Sequence, residues 1–170
     1  MASKSQCSWC LLAAALLLMF FARPAHAENS CPWLNEATAS GFLGGAATGA
    51  YSPATESQPA ICTFMRVENG VTRELQLTVE IVSASPHMRV VALASSCVDP
   101  APMTAIGNEA TRCMAHIKGA ARAERVLSRV RDQVFTITLS TSQRDDGELT
   151  GDVMRTRIAT VAEQISGNLF

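Results

Sequence analysis

The sequence predicts an α+β domain, in which an antiparallel sheet of about five strands has N-terminal, middle and C-terminal helices packed on it. Three observations support this fold class. Apolar and polar residues alternate through residues 71–82, the preceding Asn69-Gly70 is a strong hairpin signal, and the C-terminal tail has apolar residues at helical spacing. Each strand and helix therefore has one apolar side, and burying those sides together places helices on a sheet.

The first predicted element is a helix that begins at Ser30. Ser30 is a suitable N-cap, Pro32 is a suitable first-turn residue, and Gly44-Gly45 ends the helix. Its apolar stripe comprises Trp33, Leu34, Ala37 and Phe42. Residues 46–60, rich in Gly, Ser, Thr and Pro, are predicted to form a loop.

A hairpin follows, with strands at residues 61–68 and 71–82. In its second strand four apolar residues alternate with four polar ones. The apolar residues are Leu75, Leu77, Val79 and Ile81, and the polar residues are Glu74, Gln76, Thr78 and Glu80. One face of this strand is thus buried and the other solvated, as in an antiparallel sheet.

The rest of the chain is predicted to contain a short helix, three strands and a long final helix. The short helix begins at Ser85-Pro86 and ends before a loop that holds Cys97. The strands span residues 111–117, 125–131 and 133–141, and a tight turn joins the last two. The final helix ends at Gly167-Asn168. Its apolar side comprises Met154, Ile158, Val161, Ala162 and Ile165.

Residues 1–27 have the layout of a secretory signal peptide. A basic residue precedes an apolar run at residues 11–21, and Ala25-His26-Ala27 is a small-residue cleavage site. The run is shorter than the roughly 20 residues that cross a bilayer, and no later stretch is long and uncharged enough. We expect cleavage after Ala27, a single domain at residues 28–170 without a membrane span, and a periplasmic or secreted location.

Four cysteines remain after the leader is removed, namely Cys31, Cys62, Cys97 and Cys113. Cys31 does not follow a leucine-containing lipid-attachment box, so a lipid anchor is not expected. An even number of thiols in an oxidising compartment predicts disulfides, and these four allow three connectivities. A structural zinc site takes its ligands in close pairs, whereas these intervals are wide, so no metal site is predicted.

Charge and aromatic content argue against nucleic acid as a partner. The chain has 14 basic and 15 acidic residues, and the basic residues are scattered along the sequence. A nucleic-acid-binding face combines clustered basic residues with aromatic side chains, but aromatic residues make up only 5% of this chain.

No set of residues predicts an active site. Cys113 and His116 are three apart on a predicted strand, so their side chains point to opposite faces and do not form a nucleophile and base. Four acidic residues near the final helix lack the spacing of a calcium-binding loop and are interpreted as a solvated turn at the positive end of that helix. They are Asp145, Asp146, Glu148 and Asp152. We therefore predict no catalytic residue and no cofactor.

Arg129 and Arg131 are the candidate ligand-binding residues. They occupy alternate positions of the predicted strand at residues 125–131, so they share one face. Two guanidinium groups on one face suit an anion or an acidic partner.

Four short motifs occur in order along the chain: a cysteine in SCPWLNEA, a cysteine in ICTFMRV, a Gly-Asn-x-Ala step in IGNEATRC and a Val-Arg hairpin in RVRDQVFTI. This pattern resembles a group of small exported bacterial domains of unknown function. They are best known as actinobacterial and mycobacterial lipoproteins, and some adopt a PsbP-like α+β sandwich. The chain departs from them in lacking the lipid-attachment box, in having Phe64 where Trp is common and Asp132-Gln133 where Gly-Asn is usual, and in adding Cys97 and Cys113.

The resemblance implies an exported location and a binding or sensing role. It also implies that Cys31 pairs with Cys62, which leaves Cys97 and Cys113 to pair with each other. We expect an exported, disulfide-linked, non-enzymatic binding or sensing domain for an unknown small molecule. The alternative is a structural accessory subunit that docks on a cell-envelope protein.

Overall fold

The computed structural model describes residues 30–170, so the predicted signal peptide lies outside the described residues. The described residues form three helices: α1 (Glu36–Leu43), α2 (Pro86–Ala94) and α3 (Gly151–Leu169). They also form seven strands: β1 (Thr48–Ser52), β2 (Ala60–Glu68), β3 (Val71–Ile81), β4 (Val98–Met103), β5 (Glu109–Met114), β6 (Arg122–Val130) and β7 (Gln133–Thr141). In this part of the chain, no helix is long and apolar enough to cross a bilayer.

The seven strands form one antiparallel sheet in the order β1-β2-β3-β7-β6-β5-β4. The predicted α+β class is confirmed, but the sheet has seven strands instead of about five. The two unpredicted strands, β1 and β4, are the two edges of the sheet. The β1 segment TGAYS is largely exposed, and the β4 segment VDPAPM contains two prolines, which a strand tolerates at an edge. Neither segment therefore has the alternation that reveals a central strand.

The first face of the sheet is covered by α1 and α3. The buried apolar residues of β3 that face these helices are Leu75, Leu77 and Val79, as the alternation predicts. The prediction that Ile81 is buried with them is wrong, because β3 ends at this residue and its side chain is 74% exposed. From the neighbouring β7 come Phe135, Ile137 and Leu139. All five predicted apolar residues of the final helix are buried against them. This layer is the main hydrophobic core.

The second face of the sheet is only partly covered, by α2. Val90 is the one residue of α2 that is buried, and it packs in a small cluster with Leu127 of β6 and Val134 of β7. The Cys97–Cys113 disulfide lies after the C-terminal end of α2 and joins its loop to β5. Much of the second face beyond α2 is therefore polar and open to solvent.

The prediction that the first helix begins at Ser30 is wrong. Asn35 has extended backbone angles and its side-chain oxygen accepts the N–H of Thr38 at 2.8 Å, so Asn35 is the N-cap. The residues before it are held on β2 by the Cys31–Cys62 disulfide. The predicted end is confirmed, because Gly44 has left-handed angles and its N–H bonds back to the helix.

The final helix continues beyond the end predicted at Gly167-Asn168. Its N-cap is Thr150, whose hydroxyl accepts the N–H of Val153. The side-chain amide of Asn168 donates to the carbonyl of Trp33 at 2.9 Å, and Leu169 is buried. These tertiary contacts extend the helix to Leu169.

Both predicted disulfides are present. Cys31 is bonded to Cys62 with the Cα atoms 5.6 Å apart, and Cys97 is bonded to Cys113 with the Cα atoms 5.4 Å apart. This is the pairing that the family resemblance implies.

A buried ion pair closes the end of the sheet next to α3. Arg73 of β3 donates from Nε and Nη2 to the two carboxylate oxygens of Asp146, both at 2.7 Å. The hydroxyl of Thr141 also donates to Asp146, which is 3% exposed. The interpretation of Asp146 as part of a solvated turn is therefore wrong. The hydrogen bond from Arg73 holds the pKa of this carboxyl far below its usual range, although burial opposes the shift.

We expect Asp146→Asn to lower the free energy of unfolding at neutral pH by about 3 kcal/mol, because the buried Arg73 loses its bidentate carboxylate partner and keeps only the longer contact with Glu68, at 3.6 Å. The matched change Asp145→Asn alters an exposed neighbour and should cost less than about 0.5 kcal/mol. Because folding lowers the pKa of Asp146, its stabilisation is complete above the ordinary carboxyl pKa and is lost as the pH falls below about 4. Urea denaturation across this pH range measures both effects. Equal midpoints for the two variants at neutral pH would contradict the assignment.

Candidate functional site

A cavity of about 690 Å³ lies between α1 and the edge strand β1. Cavities that bind small molecules have volumes of this order and are mostly apolar. The chain around the start of α1 contributes Ser30, Cys31, Leu34, Asn35, Glu36 and Ala37. The sheet contributes Gly49, Ala50 and Phe64. We call this space the α1–β1 cavity.

The Cys31–Cys62 disulfide forms part of the cavity wall. Cys31 lines the cavity directly, and Cys62 is fully buried on β2 next to Phe64, which also lines it. A covalent link between the chain before α1 and the sheet keeps the two sides of the cavity at a fixed separation. The cavity is therefore preformed, which lowers the entropic cost of binding.

Side chains of α1 accept hydrogen bonds from backbone N–H groups along the outer edge of β1. Ser40 Oγ accepts the N–H of Ala47 at 2.9 Å, and Glu36 Oε1 accepts the N–H of Gly49 at 2.8 Å. Glu36 and Ser40 are four apart on α1 and therefore about 6 Å apart along the helix axis. Ala47 and Gly49 are two apart along the extended chain and therefore about 7 Å apart, so the spacing of the two acceptors matches that of the two N–H groups. Free N–H groups on an edge strand invite pairing with other chains, and these bonds remove two of them.

Glycine at position 49 favours this contact. A Cβ at Gly49 would lie 3.0 Å from Phe64 Cε1 and 3.1 Å from Glu36 Oε1. Either neighbour would have to move, and the bond from Glu36 to the strand would lengthen. The glycine therefore allows the α1 side chain to reach the backbone of β1.

An aromatic pair stands near the cavity. Tyr51 lies two residues after Gly49, so both face α1, and its ring meets that of Trp33 edge to face with 6.4 Å between centroids. Trp33 itself follows Cys31 by two residues and is fixed at its carbonyl by Asn168. The aromatic rings extend the apolar surface beyond the disulfide.

Among residues 30–170, Glu36 is the one ionisable side chain that lines the α1–β1 cavity. Its Oε1 bonds to Gly49, while its Oε2 makes no hydrogen bond within residues 30–170. The side-chain amide nitrogen of Asn35 likewise has no partner there, since its oxygen caps α1. The cavity thus offers one acceptor and one donor above an apolar interior.

The structure separates the predicted candidates Arg129 and Arg131. Arg129 Nε donates to Glu109 Oε1 at 2.7 Å, and His87 Nδ1 lies 2.6 Å from the other oxygen of Glu109. Burial raises the pKa of Glu109, but the hydrogen bonds from Arg129 and His87 outweigh it and the net shift is downward. Arg129 is therefore already paired with a carboxylate.

Arg131 does not lie on the strand that was predicted for it. β6 ends at Val130, and Arg131 has a positive φ of 58° in the tight turn to β7. Its guanidinium carbon stands 5.9 Å from the ring centroid of Phe170. The prediction that the two arginines share a strand face is wrong, because the turn begins one residue earlier than the predicted strand ends.

Cys113 and His116 also do not form a site. Cys113 is disulfide-bonded to Cys97, and His116 lies in the loop after β5, which ends at Met114. Within residues 30–170, no group of three or more His, Cys, Asp or Glu side chains is placed to hold a metal ion.

No protein-family model, curated protein or solved structure matches this chain. The resemblance to PsbP-like lipoproteins stays a prediction from the sequence motifs.

We expect Glu36→Ala to destabilise the fold by about 1 kcal/mol, because the N–H of Gly49 loses its acceptor. Glu36→Gln keeps an acceptor oxygen at the same position and should retain most of that stability. Chemical denaturation of the two variants beside the wild type measures the difference. If the alanine variant is as stable as the glutamine variant, the edge contact does not contribute to folding.

Proposed function

We propose that the protein is an exported, disulfide-linked, non-enzymatic binding domain that takes a small organic molecule in the α1–β1 cavity. The observation that carries this proposal is the cavity itself, which is of ligand size, mostly apolar and walled by a disulfide. Neither Arg129 nor Arg131 contributes to it.

The lining of the cavity favours a ligand that is apolar and either neutral or positively charged. Leu34, Phe64 and the disulfide supply the apolar surface, and Glu36 supplies the single charge. An anionic ligand would place its charge beside a carboxylate without a compensating cation, which is unfavourable in a partly desolvated site. Asn35 and Glu36 at the start of α1 would orient a polar end of the ligand.

The proposed exported location is supported by the signal-peptide pattern of residues 1–27 and is compatible with the two disulfides. Disulfides persist in oxidising compartments, where glutathione does not reduce them.

The alternative function, an accessory subunit that docks on an envelope protein, has less support. A docking surface needs a contiguous exposed apolar patch. The exposed large apolar side chains are instead divided among Met65 and Val67 on the second face, Met88 and Val91 on α2, Met114 on the first face, Ile81 at the end of β3 and Phe170 after α3.

Binding of the neutral apolar dye N-phenyl-1-naphthylamine tests the proposal. We expect dye fluorescence to rise with wild-type protein, and the variant Ala37→Phe to weaken binding about tenfold or more because the larger side chain on α1 occupies part of the cavity. Ala37 is exposed, so the larger side chain need not displace buried residues.

Ala92→Phe is the matched control, since Ala92 is an exposed alanine of α2 on the second face of the sheet. It should bind the dye as the wild type does. Dye binding that is absent, or that is equal in the filled and control variants, would overturn the assignment of the cavity. Co-purification with an envelope protein in that case would favour the docking subunit.

Intact mass of the secreted protein, with and without reductant and alkylation, tests the export proposal. We expect a mass that begins at Glu28, without a lipid and without an alkylated thiol until reductant is added. A mass that retains residues 1–27, or a thiol that reacts before reduction, would contradict it.

A further inference from the structure

A second groove lies toward the opposite edge of the sheet from the α1–β1 cavity, where β5 and β6 are joined. Its volume is about 280 Å³. Three basic side chains line it, His116, Arg122 and Arg144, together with Val98, Met114 and three alanines. No acidic residue lines it. We call it the basic groove.

An adjoining depression of about 270 Å³ shares His116 and Arg122 with the basic groove and adds Lys118. It also has no acidic residue in its lining. All four ionisable side chains along this surface are therefore basic, although the chain as a whole has a formal net charge of −1. Such a local excess of one charge attracts ligands of the opposite sign.

The two arginines of the basic groove are not neutralised by a contact within the protein. Across residues 30–170, neither Arg122 nor Arg144 makes a side-chain hydrogen bond or an ion pair within 4 Å, whereas five other arginines form ion pairs. Those five are Arg66, Arg73, Arg89, Arg129 and Arg155. The hydrogen-bond donors of the two groove arginines are thus available to a ligand.

Glu124 is the acidic residue whose charge interacts with Arg122. It lies two residues along β6 on the first face, is 4% exposed, and forms no ion pair within 4 Å in the described chain. Burial raises its pKa against the attraction of Arg112, Arg155 and Arg122. This buried carboxylate does not line the groove and leaves the guanidinium of Arg122 free to bind an anion.

The floor of the basic groove is apolar and fixed in place. Val98 and Met114 pair across β4 and β5, and they directly follow Cys97 and Cys113, which are disulfide-bonded. Met114 is 43% exposed, which is unusual for so large an apolar side chain beside charged residues. The groove thus combines a rigid apolar floor with cationic walls.

We propose that the basic groove binds an organic phosphate monoester, with the phosphate on Arg122 and Arg144 and the organic part on Val98 and Met114. Two guanidinium groups match the charge of a phosphate dianion and present the paired donors that phosphate oxygens accept. His116 contributes a further donor at the groove wall. This site is independent of the α1–β1 cavity, which is suited to a neutral or cationic molecule.

Calorimetric titration with phenyl phosphate tests the proposal. We expect binding to the wild type, and about tenfold or more weaker binding to Arg122→Gln/Arg144→Gln, because charge-assisted hydrogen bonds are lost. Arg131→Gln is the control: it removes one arginine at the opposite end of β6, about 30 Å away, and should leave the affinity unchanged within twofold. Circular dichroism checks that each variant is folded.

Two further ligands test the parts of the site separately. Phenol lacks the phosphate and inorganic phosphate lacks the apolar group, so both should bind at least about tenfold more weakly than phenyl phosphate. Equal binding by either, or no effect of the double arginine variant, would overturn the proposal.

Vesicles of phosphatidylcholine with and without phosphatidic acid identify the source of the phosphate. Arginine-dependent binding to the phosphatidic acid vesicles assigns a lipid phosphate, and binding to phenyl phosphate alone assigns a soluble one. Binding to neither overturns the proposal. The filled variant Ala37→Phe should bind phenyl phosphate normally, so failure at one site is distinguishable from failure at the other.

Discussion

The disulfide between Cys31 and Cys62 is the constraint on which the candidate site depends. It fixes the chain ahead of α1 to the second strand of the sheet, four residues before the Asn35 cap starts the helix. A helix that begins at this point lies along β1, so its side chains reach the outer edge of that strand. An isolated helix of eight residues is marginal in water, and tertiary attachment must hold it. The α1–β1 cavity is the space that remains between the attached helix and the strand.

Carboxylates pair with arginines in the interior of this protein, whereas two arginines of the basic groove have no such partner in the described part of the chain. Arg73 lies inside the protein and has a bidentate carboxylate partner, because an unpaired charge there would cost several kcal/mol. Arg129 is half-buried and pairs with Glu109. Arg144 is exposed and Arg122 half-buried, and neither makes an ion pair within 4 Å in the described part of the chain. Water solvates a charge at the surface, so the fold tolerates these two without a counterion, and a ligand can supply one.

The central strands and the final helix could be predicted because each has one buried and one solvated side. β3 and α3 follow the expected spacing almost residue by residue. The edge strands β1 and β4 could not be predicted in this way. A strand that pairs on one side only and buries few side chains has no strict alternation of apolar and polar residues. Local signals also fail where tertiary contacts intervene: the disulfide delays the start of α1, and Asn168 and Leu169 prolong α3.

The two proposed sites were hidden in the sequence for different reasons. The α1–β1 cavity is lined by small and apolar residues that match no binding motif, and only the unusual glycine at position 49 indicates a close approach. Arg122 and Arg144 are distant in sequence, so the basic residues looked scattered. Pairing of Arg122 with Thr141 across β6 and β7 brings Arg144, three residues later, to the same end of the sheet. The register between β6 and β7 therefore creates the cluster of basic side chains, and this register depends on the whole fold and not on a local sequence signal.

Both sites lie at edges of the sheet, and the same physical requirement explains this. The middle of the sheet must be close-packed on its first face to form the core, which leaves no room for a ligand. An edge strand needs only enough cover to prevent pairing with another chain: side chains of α1 provide it at β1, and two prolines provide it at β4. Because each edge strand is only partly covered, space for a ligand remains beside it. The Cys31–Cys62 disulfide fixes the wall of the α1–β1 cavity, and the Cys97–Cys113 disulfide fixes the floor of the basic groove. Four interstrand spacings separate β1 from β6, the strand of Arg122, by about 19 Å, so ligands at the two sites do not touch, and any coupling between them would have to pass through the rigid sheet.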